Sequence, residues 1–102
     1  MVCLTQKAYE DLLSLDAHHG RSGGVDPYPS DVVIEKLHLL EAYLLAGPLH
    51  HDSYLAERGY RKLLAGKWLA VYRVEGDDVL VVRVFHQRAD YPGEFKAGEV
   101  HV

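Results

Sequence analysis

Cysteine is almost missing from this sequence: Cys3 is the only one among 102 residues. A single thiol excludes an intramolecular disulfide framework and any Cys-x-x-Cys metal frame, and it leads us to expect a buried thiol in a cytosolic protein. Four prolines and nine glycines, without period, exclude a collagen-like or low-complexity chain. No apolar run nears the ~20 residues that span a bilayer. The start MVCLTQKAYEDL has no basic segment followed by an apolar one, so no secretory leader and no membrane partner are expected. Neither HExxH nor GxxxxGK[ST] occurs, and Gly23-Gly24 and Gly66-Lys67 are therefore not phosphate loops. The adjacent pairs His18-His19 and His50-His51 diverge on a helix and alternate on a strand, which is poor ligand geometry. No metal and no cofactor are expected.

What remains is ordinary globular material, with 48% apolar and 25% charged residues. A chain of this size can bury one core without staples, so we expect a single domain over residues 1–102 whose polar tail is 91–102. The formal net charge of −4 hides an asymmetry. Between Arg58 and Arg88 seven basic residues face three acidic ones, whereas the rest holds four against twelve. One third of the chain is therefore able to turn a positive face toward an anionic partner.

Periodicity sets the expected order of elements. Val2–Thr5 suits a short strand. Ala8, Leu12 and Leu15 then recur at helical spacing, with Thr5 as N-cap, Glu10 and Asp11 on the other side and Gly20 as the stop. HHGRSGGVDPYP reads as a loop, and a second helix starts at Pro29 to Asp31, buries Val33, Leu37, Leu40 and Leu44, and ends at Gly47-Pro48. LHHDSYLAERG reads as a connection. From Tyr60 the period becomes two: strands over Arg61–Ala65, Trp68–Glu75 and Asp78–His86, the last two joined by a turn at Gly76. The expected fold class is α+β, βααβββ, with two N-terminal helices packed on one face of an antiparallel sheet and the other face open.

Alternation places Val79, Val81, Arg83 and Phe85 on one face of the last strand and makes Arg73 and Arg83 cross-strand neighbours on the open side. Singly, such arginines lay their stems over apolar surface. Together with Arg61 and Arg88 they would form a patch for phosphates or carboxylates. His86, Arg88 and Tyr91 close the last strand with a proton carrier, a cation and a stacking ring, a set able to cleave RNA, and Asp90 lies beside them. The plainer reading is a backbone-bonded histidine and an Arg88–Asp90 surface pair.

Residues 60–90, YRKLLAGKWLAVYRVEGDDVLVVRVFHQRAD, resemble the RelE/ParE superfamily of type II toxin–antitoxin toxins, the plasmid stabilisation proteins. The match runs through Arg61, Gly66, Tyr72-Arg73-Val74, Glu75-Gly76-Asp77, Arg83-Val84 and His86-Gln87-Arg88-Ala89-Asp90. The resemblance implies a growth-inhibiting toxin silenced by a cognate antitoxin, with which it would form a hetero-oligomer. It implies one of two targets: DNA gyrase for the ParE-like branch, or the ribosome with mRNA for the RelE-like branch, whose members are metal-independent endoribonucleases (mRNA interferases). A degenerate member would only bind a partner. The nuclease branch often carries an arginine where Leu69 follows Trp68, and the H-x-R-x-D ending is closer to the ParE-like branch. In that reading Arg61, Arg73, Arg83 and Asp90 contact the target, and His86, Arg88 and Tyr91 set local geometry or act as acid, cation and stacking group.

Overall fold

A computed structural model describes residues 1–22 and 28–89, and for residues 18–22 the backbone only. The first strand, β1 (Val2–Leu4), leads directly into helix α1 (Gln6–Ser22). Thr5 joins them as expected: its hydroxyl oxygen accepts the Ala8 N–H at 3.1 Å, satisfying one of the helix's orphan donors. Gly20 does not stop the helix, whose backbone continues two residues further to Ser22.

The second helix is broken. Helix α2 (Pro29–Leu37) and helix α3 (Leu39–Ala42) meet at His38, and Val33, Leu37 and Leu40 stay buried across the break. The expected end at Gly47 is not reached, because at Leu44 the backbone turns to the sheet and its carbonyl accepts the Tyr72 hydroxyl at 3.0 Å.

Three strands form the meander that alternation predicts: β2 (Tyr60–Ala65), β3 (Trp68–Glu75) and β4 (Asp78–His86). The strand order is β1-β4-β3-β2. The sheet is mixed rather than wholly antiparallel, since β1 pairs parallel to β4 with Val2 opposite Val79. The α+β class and the helices on one sheet face stand.

Two further corrections bear on function. Val71 pairs with Arg83 but Tyr72 pairs with Val81, so Val82 is a bulged extra residue. Past it the alternation shifts: Val79, Val81 and Val84 pack toward the helices, whereas Leu80, Val82 and Phe85 belong to a cluster on the opposite face. Val79 and Phe85 therefore do not share a face, contrary to strict alternation.

That opposite face is not open either. Residues 48–50 run antiparallel along the outer edge of β2, where Lys62 N–H donates to the Pro48 carbonyl at 3.1 Å and His50 N–H to the Tyr60 carbonyl at 3.0 Å. The chain then forms a short helix, α4 (Ser53–Glu57), capped by the Asp52 carboxylate on the Leu55 N–H. Leu55 is fully buried against Tyr60, Leu69, Val71 and Val82, a burial worth roughly 1.5–3 kcal/mol. α4 thus covers the middle of the face expected to be free. Cys3 is exposed rather than buried, because it alternates away from the half-buried Val2 and Leu4 on an edge strand that α4 does not reach.

His50 is 3% exposed at this wrapped edge. Its Nδ1 accepts the Asp52 N–H at 3.0 Å and its ring stacks on His51 at 4.5 Å between centroids. Burial first, then the charges of His51 and Lys62, lower its pKa from the ordinary 6.5 to about 4. An unfolded chain takes up this proton near pH 6.5 and the folded one only near 4, so the folded state is fully favoured above that window and loses stability as pH falls through it. Urea midpoints measured between pH 7 and pH 4 should decline, and His50→Asn should flatten the decline. An unchanged slope in the variant would remove His50 from the account.

Candidate functional site

The basic residues of the meander do not converge. Arg61 shares a strand face with the buried Leu63 and Ala65, on the helix side, and its Nη1 donates to the Gly47 carbonyl at 2.9 Å. Arg73 lies on the opposite face, alternating with Leu69 and Val71, and is ion-paired to Glu75. Its guanidinium carbon is 5.7 Å from the centre of the Tyr60 ring.

Arg83 is 7% exposed and is held from α1. Its Nε donates to Asp11 at 2.8 Å and its Nη2 to the other carboxylate oxygen at 3.2 Å. The Val84 N–H donates to Asp11 at 2.9 Å as well. One carboxylate thus collects three donors where β4 runs on past the end of β1. The guanidinium also lies 4.4 Å from the centre of the Phe85 ring, and an arginine so enclosed cannot approach a phosphate without first losing Asp11. The cross-strand pair expected of Arg73 and Arg83 is offset, because Arg73 faces Leu80 and Arg83 faces Val71. The expected four-arginine patch is therefore absent among the described residues.

A different grouping forms at the far end of the β3–β4 ladder. Trp68 and His86 are its last pair, and their rings meet edge to face at 5.5 Å. The chain leaves β4 in a tight turn: Gln87 N–H donates to the Lys67 carbonyl and Ala89 N–H to the His86 carbonyl, both at 2.9 Å. Within that turn Arg88 N–H donates to His86 Nδ1 at 3.1 Å. This bond makes Nδ1 an acceptor, so the neutral ring carries its proton on Nε2. Lys67 Nζ stands 5.5 Å from the centre of the Trp68 ring. Lys67 and Arg88 are exposed and have no carboxylate partner among the described residues.

Of the residues expected to do chemistry, His86 and Arg88 therefore stand together. Asp90 and Tyr91 lie outside the described residues. Lys67 and Trp68 join the group unforeseen: the first reads as a turn residue and the second as the start of an apolar strand, and only the pairing of the two strand ends brings them to His86. Asp11 was also missed as a partner of Arg83, although its spacing from Ala8 and Leu15 places it on the flank of the buried helix face.

On the helix side two open grooves of about 590 and 570 Å³ adjoin, both lined by Leu39 and Ala42, one extending to Val32 and Ala65 and the other to Tyr43 and Leu45. Leu39, Tyr43 and Leu45 are exposed. Among the described residues no helix is long and apolar enough to cross a membrane, and no three metal-ligating side chains gather.

Residues 2–91 match the family model described as the ParE toxin of the type II toxin–antitoxin system parDE. No curated protein matches the chain in sequence. Among solved structures, the chromosomal ParDE toxin–antitoxin system of Pseudomonas aeruginosa is similar at 21% identity and TM-score 0.63, over 83% of this chain and 92% of that one. The RelBE2 toxin–antitoxin complex of Mycobacterium tuberculosis is similar at 19% identity and TM-score 0.55, over 84% of this chain and 95% of that one.

Proposed function

The chain belongs to the ParE toxin family of type II toxin–antitoxin systems, and from that premise we propose that it arrests growth by binding a large cytoplasmic target, DNA gyrase, rather than by cutting RNA. The observation that carries this reading is the disposition of the arginines. Arg61 is spent on a backbone carbonyl, Arg73 on Glu75 and Arg83 on Asp11. Ribonuclease chemistry without a metal needs cations aimed at the scissile phosphate and developing charge. Three of the four candidates have another partner, which leaves Arg88 beside His86. A protein that works by binding asks less: a shaped surface with a few unneutralised charges.

In this reading a cognate antitoxin holds the toxin silent and lays an apolar segment over the grooves at Leu39 and Ala42, where exposed Leu39, Tyr43 and Leu45 supply area that water covers poorly. The ribonuclease reading keeps one specific support, the His86 ring fixed through Nδ1 with Nε2 available to carry a proton.

Expression from a tightly controlled promoter tests both. The expected result is growth arrest with a DNA-damage response and intact messages, relieved by co-expression of the protein encoded alongside. Codon-phased cuts in cellular mRNA would overturn the gyrase assignment in favour of cleavage. Unimpeded growth with soluble, folded protein would overturn toxicity itself and leave a partner-binding member of the family.

A further inference from the structure

Among the described lysines and arginines, Arg73 and Arg83 are ion-paired to carboxylates, and two of the others flank one ring pair. Lys67 precedes Trp68 at the start of β3, and Arg88 follows His86 in the turn that leaves β4. The Gln87 N–H to Lys67 carbonyl bond at 2.9 Å ties these two segments together, so their spacing belongs to the sheet and not to a free loop. Between them lies half-buried indole, held edge to face against His86. A partly exposed aromatic between cations, on a rigid ladder end, has the composition of a recognition site.

We propose that the Lys67–Trp68–His86–Arg88 corner recognises an acidic segment of the target protein, its carboxylates meeting Lys67 and Arg88 and an apolar side chain lying on Trp68. This inference rests on the reading of the chain as a target-binding toxin. A nucleic acid fits the corner less well. Binding to a phosphate backbone draws its affinity from many neutralised phosphates, whereas two cations, Lys67 and Arg88, stand at this corner and the whole chain carries a formal charge of −4. A protein segment needs only one or two well-placed carboxylates, and Arg88 can receive one in bidentate fashion. His86 adds a donor from Nε2, because Nδ1 is already occupied by the Arg88 N–H.

Trp68 is the sole tryptophan of the sequence, so intrinsic fluorescence reads this corner directly. The experiment titrates the purified full chain with a capped Glu-Leu-Glu-Glu-Leu-Glu peptide, and separately with its lysine-for-glutamate counterpart and with a thymidine hexanucleotide. The acidic peptide should change Trp68 emission saturably, and affinity should fall as salt rises. Lys67→Ala with Arg88→Ala should weaken it roughly three- to tenfold, the range expected for losing two exposed charge contacts. The lysine peptide should leave the emission unchanged. A flat response to the acidic peptide, tighter binding of the oligonucleotide, or an undiminished response in the folded double variant would each overturn the proposal.

A second measurement fixes the source of the acidic segment. The double variant should lose toxicity yet co-purify with the antitoxin; losing antitoxin binding while remaining toxic would overturn the assignment to the target. The peptide titration reads the corner without any growth phenotype, so an absence of toxicity in the parent chain would fail the functional reading while the titration still judged the corner.

Discussion

Replacing Asp11 by alanine should lower stability by about 3–5 kcal/mol, the cost typical of removing one partner from a buried ion pair. The magnitude follows from what is left behind rather than from the attraction lost. Arg83 is 7% exposed, and without Asp11 its guanidinium stays charged beside Phe85 and the core strands. The Val84 N–H, which donates to the same carboxylate at 2.9 Å, also loses its acceptor. Asp11→Asn should cost less, because an amide oxygen can still accept from Val84 while the charge pairing is gone. The double replacement Asp11→Leu with Arg83→Leu should recover the part of the loss that comes from the uncompensated charge, leaving the unmet Val84 N–H as the remainder. Urea denaturation of the four proteins at neutral pH measures this series. If Asp11→Ala lies within about 0.5 kcal/mol of the parent, the range of an ordinary surface change, α1 is not held to β4 by this carboxylate.

The same contact marks where the sequence could be read and where it could not. Strands β3 and β4 are legible to the residue, since β-branched and aromatic runs bounded by Gly66 and Gly76 leave little alternative. α1 is legible through Thr5 and the spacing of Ala8, Leu12 and Leu15. The bulge at Val82 is not. Residues 79–85 are apolar on both faces apart from Arg83, so a slip in alternation leaves no polar residue stranded to betray it. α4 is hidden for a different reason: five residues are too few for a helical period, and its stability comes from the Asp52 cap and Leu55 burial, which are tertiary facts. Because α4 was invisible, the face it covers read as vacant.

The arginines illustrate the limit for function. Sequence alternation groups Arg61 with Arg73 until the β2–β3 register, with Tyr60 opposite Arg73, puts them on opposite faces, and it cannot say that Asp11, 72 residues away in the chain, has already claimed Arg83. The corner at Trp68 and His86 was half legible. A histidine and an arginine at a strand end draw notice as chemistry, whereas a tryptophan opening an apolar strand reads as packing until the ladder sets it against His86.

Gly47→Ala should be nearly as damaging as the loss of Asp11, with Tm lower by roughly 10–20 °C for about 3 kcal/mol in a domain of this size. The backbone torsions at Gly47 do not demand glycine; the space does. A Cβ there would sit 2.2 Å from the Lys62 carbonyl oxygen and 2.9 Å from both the Tyr72 ring and its hydroxyl. The first obstacle is the backbone of β2 and cannot swing aside as a side chain would, so the segment itself must retreat. Retreat strains three bonds at once: Gly47 N–H to the Tyr72 hydroxyl at 2.9 Å, Arg61 to the Gly47 carbonyl at 2.9 Å and Lys62 N–H to the Pro48 carbonyl at 3.1 Å. Burial raises the pKa of Tyr72 above its ordinary value, consistent with a hydroxyl that stays neutral and bonded at this junction. Tyr72→Phe removes only that hydroxyl and leaves the Leu44 carbonyl without its donor, a loss of about 1–3 kcal/mol. Because both substitutions break the same junction, their costs should not add, and Gly47→Ala made in the Tyr72→Phe background should cost measurably less than it does alone. Full additivity in thermal unfolding would mean that Gly47 is constrained by β2 and not by the Tyr72 hydroxyl, and an unshifted Tm for Gly47→Ala would show that the 44–50 segment does not press on the sheet at all.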